Sequence, residues 1–174
     1  ILTNKLLQLA GGAVYDENGK AQIVHDQKLE VLDQLIEEAN GQPVLVFYNY
    51  KHELDRLQAR YPQAVHVKEE NVVKRWNAKE IPILLANPAS AGHGLNLQFG
   101  GHIAIWYSPT WNLEFFQQAN KRLHRRGQAE TVLIHTLMAK GTIDEHIYDI
   151  VLRNKEAGQN ALLEAVKARI KEVT

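Results

Sequence analysis

Pro43-Val44-Leu45-Val46-Phe47-Tyr48-Asn49-Tyr50-Lys51-His52-Glu53-Leu54-Asp55 reads as a strand that runs straight into a helix. Val44–Tyr48 is apolar at consecutive positions, the pattern of a strand covered on both faces. From Lys51 to Tyr61 the apolar residues return at helical spacing. Gly41, just past the preceding helical segment, and Pro43, just ahead of the strand, are the corresponding stop and start signals. Outward from this unit the alternation repeats, with strands expected at Ala64–Val67, Ile83–Ala86, Ile103–Trp106 and Val132–Thr136. Helices are expected at Ile1–Leu9, Gln27–Asn40, Asn71–Asn77, Gly94–Gln98, Leu113–Arg126, Ile143–Asn154 and Ala161–Lys171. The expected fold is α/β, a mostly parallel sheet with helices on both faces. Asp16-Glu17-Asn18-Gly19 is either a hairpin turn or a plain loop.

The chain has 174 residues, 20 Lys+Arg against 20 Asp+Glu, and 45% apolar residues, the composition of one globular domain with a real core. Cysteine is absent, which excludes a disulfide scaffold and a thiolate zinc site. No apolar run approaches the roughly 18 to 20 residues that cross a bilayer, and Ile1-Leu2-Thr3-Asn4-Lys5 lacks the form of a signal peptide. A soluble compartment without membrane contact is therefore expected. The only methionine is Met138, so the chain is read as a piece of a longer protein. A net charge of zero excludes a uniformly basic DNA-coating domain, and any anion binding must come from a local cluster. Lys121-Arg122-Leu123-His124-Arg125-Arg126 is such a cluster. The acids Glu30, Asp33, Glu37 and Glu38 read as a solvated helix face.

Several patterns are excluded by single residues. Gly19-Lys20 is no phosphate loop, because Val14 stands where its first glycine belongs and Ala21 replaces the magnesium-binding hydroxyl. Gly92-His93-Gly94 is no dinucleotide fingerprint, because Leu97 occupies the third glycine position. Asp144-Glu145-His146 begins a helix instead of ending a strand, and Thr142 with Glu145 reads as a capping box. No His-Glu-x-x-His spacing occurs, so no metal site is expected.

Within Leu113–Arg126, Phe115, Phe116, Ala119 and Leu123 form an apolar stripe expected to pack on the sheet. Gln118, Arg122 and Arg125 form a second stripe on its flank. Two guanidiniums on one face repel, and an anion such as phosphate would reverse the sign. The other reading is a helix whose last turn carries cations for its dipole and ends at Gly127. Upstream, Ser90-Ala91-Gly92-His93-Gly94-Leu95-Asn96-Leu97 places glycines beyond a strand, at the mouth of a short expected helix, where backbone N–H groups can approach a phosphate.

Together, Ser90–Leu97, Trp111-Asn112 and Gln118-Ala119-Asn120-Lys121-Arg122-Leu123-His124-Arg125-Arg126-Gly127-Gln128 resemble motifs V and VI of the Swi/Snf-type ATPases, duplex-DNA translocases of helicase superfamily two. Val44–Tyr48 with its following helix resembles motif IV, and Thr142–Asn154 is similar to the closing helix of the same lobe. The resemblance implies a single RecA-like C-terminal lobe over residues 1–174, the second half of a two-lobe motor whose first lobe holds most of the ATP and Mg2+. It implies that Arg125 is an arginine finger, that Arg122 binds the γ-phosphate, and that Gln118 positions the nucleotide or its attacking water. Gly92, Gly94 and Asn96 would lie on the nucleotide side, and Tyr50, Lys51, Ser90, Ala91, Trp111 and Asn112 on the DNA side. Contacts to phosphates are expected, since a translocase must pass every sequence. Tyr50 also reads as a packed aromatic and Lys51 as a solvated lysine, and both readings stay open.

Three departures stand out. Leu113 follows Trp-Asn where proline is frequent, Tyr107-Ser108-Pro109-Thr110 precedes it where an acid is frequent, and Arg126 replaces a common isoleucine. They read as variation in a compact bacterial or phage-type member, with a cytoplasmic location, or a nuclear one for a eukaryotic member. The implied partners are double-stranded DNA and the N-terminal lobe. The P-loop and acidic box belong to that lobe, so the isolated chain is expected to lack ATPase activity. The alternative function is a non-catalytic nucleic-acid or protein-interaction module on the same fold.

Overall fold

The computed structural model describes residues 2–91 and 94–153. Helix α1 (Leu2–Ala10) leads into a hairpin of β1 (Ala13–Tyr15) and β2 (Ala21–Ile23). Then follow α2 (Gln27–Glu38), β3 (Val44–Phe47), α3 (Lys51–Arg60), β4 (Val65–His66), α4 (Val72–Asn77), β5 (Ile83–Ala86) and α5 (Pro88–Ala91). The chain continues through β6 (Ile103–Trp106), α6 (Leu113–Asn120), β7 (Leu133–Thr136) and α7 (Ile143–His146), which runs on as a π-helical segment, Ile147–Arg153.

Five strands form one parallel sheet in the order β4-β5-β3-β6-β7, with Val44 beside both Ile83 and Ile103 and Ile103 beside Leu133. Successive side chains of the central strands serve opposite faces, which is why they are apolar without alternation. Leu45, Phe47, Leu84, Ala104 and Trp106 pack on one face with Trp76, Leu97, Ala119 and Leu123. Val44, Val46, Ile83, Leu85 and Ile105 pack on the other with Leu29, Leu32 and Leu57.

The expected α/β sheet is present, and the differences from the sequence reading have local causes. Asp16-Glu17-Asn18-Gly19 is a hairpin turn: the Asp16 carboxylate accepts from Asn18 N and Lys20 N at 2.9 Å each. No helix forms over Gly94–Gln98. Side chains of α4 take up the carbonyls there, Asn77 Nδ2 donating to Asn96 O and Trp76 Nε1 to Leu97 O, each at 2.8 Å. The helical turn lies upstream in α5, where Pro88 presets its first position and Asn87 Oδ1 accepts from Ala89 N at 3.1 Å. The expected helix Leu113–Arg126 stops at Asn120, and Lys121–Gly127 continues as tight turns. Phe116, Ala119 and Leu123 face the sheet as expected, but Phe115 falls off the stripe and is 38% exposed. The expected helix Ile143–Asn154 is α-helical only to His146. Thr142 caps it by accepting from Asp144 N, while Glu145 accepts from Gly141 N at 3.1 Å. The helix expected at Ala161–Lys171 lies outside the described residues.

Trp76 is fully buried and leaves no room beside it: a Cβ at Gly100 would lie 2.3 Å from the Trp76 carbonyl oxygen. Because the obstacle is backbone, Gly100→Ala is expected to cost about 1–3 kcal/mol of stability, read as a lowered denaturant midpoint at unchanged slope.

Candidate nucleotide and nucleic-acid interface

The arginine cluster is held by side-chain bonds on both sides of it, from Asn120 and from Gln128. Asn120 at the end of α6 is buried, and its Oδ1 accepts from Trp106 Nε1 at 2.9 Å, which fixes the helix end to β6. The next residues tighten into short-range bonds, Arg122 N to Ala119 O at 3.1 Å and Arg125 N to Leu123 O at 3.0 Å. Beyond them, Gln128 Nε2 donates to Gln98 O and Gly101 O at 3.0 Å and to Leu123 O at 3.2 Å. Arg122 and Arg125 therefore sit on a clasped turn, not on a straight helical stripe with Gln118.

Arg125 is exposed and donates through Nη1 to Asn96 Oδ1. That partner is a neutral amide. Partial burial and the neighbouring charge of Arg125 hold the Arg122 guanidinium below its usual range. A bound anion would relieve that repulsion. Gln118 lies one turn after Glu114, to which its amide donates at 2.9 Å. Gly94 is exposed at φ +71°, with open space where a Cβ would stand, while Gly92 lies outside the described residues. His124, Arg125 and Arg126 border an open depression of about 780 Å³ beside Val132 and Ile134 of the β7 edge.

A second concavity opens at the carboxyl ends of β3, β5 and β6, where open α/β sheets bind ligands. It measures about 260 Å³ and is lined by Tyr50, Pro88, Ala89, Trp111, Asn112 and Phe115. Three of the six residues expected on the DNA side, Tyr50, Trp111 and Asn112, thus meet in one cleft. Trp111 is 39% exposed, and Asn112 caps α6 by accepting from Phe115 N at 3.0 Å. Ser90 is half-buried in α5, and Ala91 ends that helix. Lys51 is exposed and paired with Asp55 at 2.8 Å along its own helix, and that carboxylate raises the lysine pKa. Tyr50 is packed: it stacks on His52 with ring centroids 5.4 Å apart and donates to Asn4 Oδ1 at 2.5 Å. Burial raises its pKa to about 12.

Sequence reasoning missed the residues beneath this cleft. Asn49 Nδ2 donates to Ser108 O at 3.3 Å and Pro109 O at 2.9 Å. Buried Glu53 accepts from Asn49 N at 2.8 Å and from Ser108 Oγ at 2.7 Å. Ser108 Oγ in turn accepts from Lys28 Nζ at 3.2 Å, and Lys28 pairs with Asp144 at 2.6 Å, all four side chains being buried. The one available signal was Glu53 in the first helical turn, which reads equally as a capping residue.

The comparisons agree with this architecture. The model of the helicase conserved C-terminal domain matches residues 27–127. Protein p41 of the Acyrthosiphon pisum secondary endosymbiont phage 1 is 42% identical over 175 residues, covering 96% of this chain and 38% of that protein. The chromatin-remodeling ATPase INO80 of Mycosarcoma maydis is 31% identical over 170 residues, covering 87% of this chain and 9% of that protein. A crystal structure of the C-terminal part of the Fun30 ATPase domain superposes with a TM-score of 0.64 at 24% identity, covering 71% of this chain and 44% of that one. The chain belongs to the helicase conserved C-terminal domain family, as a RecA-like C-terminal lobe of the Swi/Snf type. It spans well under half the length of these curated relatives.

His52 gives this region an acid sensitivity. It is 2% exposed, lies between the rings of Tyr15 and Tyr50, and neither ring nitrogen has a partner among the described residues. Burial and nearby Arg56 lower its pKa from 6.5 to about 4. The unfolded chain therefore takes up this proton at a pH where the folded one does not. The resulting stability is complete above about pH 6.5 and declines as the pH falls toward 4, by about 3 kcal/mol. His52→Phe should lose that decline, so the variant's unfolding free energy should gain on that of the wild type as the pH falls from 7 to 4.5.

Proposed function

We propose that this chain is the second motor lobe of an ATP-driven double-stranded DNA translocase, with Arg125 as its arginine finger. The observation that carries the proposal is Arg125 itself: an exposed guanidinium on a turn fixed by Gln128, resting on the neutral Asn96 amide. Arg122 lies on the same turn, with its charged form disfavoured by partial burial and then by its neighbour. Such a pair suits the charge that spreads over a transferring γ-phosphoryl group, a stabilisation worth roughly 10³ to 10⁵ in rate. In this reading Arg122 holds the γ-phosphate, Gln118 orients the nucleotide or its water, and Gly92, Gly94 and Asn96 line the nucleotide side.

ATP would lie between this turn and a first lobe outside the chain. Magnesium, which neutralises phosphate charge when bound, would take its ligands from that first lobe. Among the described residues no three His, Asp or Glu side chains converge on a metal site. The DNA backbone would lie along the cleft of Tyr50, Trp111 and Asn112, with Lys51, Ser90 and Ala91 at its margins. Phosphate contacts there would carry no sequence preference and would weaken steeply with salt.

Two measurements test this. In the full-length protein, Arg125→Ala should lower duplex-stimulated ATP hydrolysis by about 10³ or more with little change in stability, because the side chain is exposed. The isolated chain should release no phosphate from ATP and should bind duplexes of any sequence equally, losing affinity between 50 and 200 mM salt. Duplex-stimulated phosphate release by the isolated chain, or sequence-selective binding insensitive to salt, would overturn the reading.

A further inference from the structure

We infer that Glu53 is a positioning residue that sets the shape of the DNA-facing cleft by tying the loop after β3 to the loop after β6. The inference rests on the proposed duplex-binding role of that cleft. The Glu53 side chain is completely excluded from solvent, in a lobe whose proposed chemistry does not use it.

The bonds of Glu53 run to two loops. Its Oε2 accepts from Asn49 N at 2.8 Å and Tyr50 N at 3.3 Å, which fixes the backbone that presents Tyr50 and Lys51. Its Oε1 accepts from Ser108 Oγ at 2.7 Å, which fixes the start of the segment leading through Pro109 and Thr110 to Trp111 and Asn112. Asn49 closes the same gap from its own side chain through Ser108 O and Pro109 O. Lys28 completes the arrangement, donating to Ser108 Oγ at 3.2 Å and pairing with Asp144 at 2.6 Å. The space is filled from above as well, since a Cβ at Gly11 would lie 2.6 Å from Glu53 Oε1. Burial raises the carboxyl pKa while the bonds from Asn49 and Ser108 and the Lys28 charge oppose that rise. A carboxylate can accept from both loops at once through two oxygens, which a hydroxyl or an amide of either hand cannot do equally. The separation of Tyr50 from Trp111 across the cleft is therefore set beneath the surface.

The test uses the full-length protein with Glu53→Gln and Ser108→Ala. Glu53→Gln keeps the volume and one acceptor oxygen, and Ser108→Ala removes one oxygen, and with it the bond to Glu53 and the one from Lys28, while the Asn49 bonds across the same gap remain. For each, the unfolding midpoint, the KM for ATP and the duplex concentration giving half-maximal stimulation are measured. The expected result is a rise in half-saturating duplex on the order of tenfold in both variants, with KM for ATP changed less than about twofold. A folded variant whose half-saturating duplex matches wild type would overturn the inference, as would equal changes in both constants. If Glu53→Gln fails to fold, the smaller Ser108→Ala change decides. Wild-type ATP hydrolysis with no response to duplex would instead overturn the duplex reading itself, and this inference with it.

Discussion

Three ionisable side chains buried at one end of the sheet govern how this lobe is assembled. Moving a carboxylate or ammonium out of water costs several kcal/mol per ion unless partners are placed well. Lys28 comes from α2, Glu53 from α3, Ser108 from the loop after β6 and Asp144 from α7, and none of them touches solvent appreciably. Each element must therefore arrive in register for the others to be tolerated. Ala139 N also donates to Asp144 Oδ2 at 3.0 Å, so the segment entering α7 belongs to the same assembly. The apolar layers on either face would accept small slips of a helix, whereas this polar junction would not.

The other end of α6 depends on a different kind of fixation. Trp106 lies among Phe47 and Phe116, with ring centroids at 4.6 and 4.9 Å, and offers its single N–H to Asn120. One indole thus anchors a strand, a helix end and, through the helix end, the basic turn. The basic turn is aimed by polar groups on aromatic and amide side chains, while Arg125 on that turn stays exposed.

Much of this was legible in the sequence because strands covered on both faces must be apolar throughout. Val44–Phe47, Ile83–Ala86 and Ile103–Trp106 are strands of that kind, two of them with the bounds expected. The short motifs located the basic turn and the cleft for the same reason that they are motifs: their residues cluster in sequence. What escaped was long-range. Nothing near Lys28 announces an aspartate 116 positions later as its partner. The helix expected over Gly94–Gln98 failed because distant α4 side chains claimed its carbonyls, and the one expected to Arg126 ended early because Asn120 and Gln128 bond elsewhere. Phe115 was misjudged for a simpler reason: one step along a helix turns a side chain by 100°, enough to move it from the interior to the rim.

The carboxamide of Gln128 reaches two carbonyls of the segment leading into β6 and one on the basic turn itself. With its hydrogens shared among three acceptors, this grip leaves little slack between the turn and the sheet. The backbone that carries Arg125 is thereby moored to the segment that enters β6, and its position is inherited from the sheet.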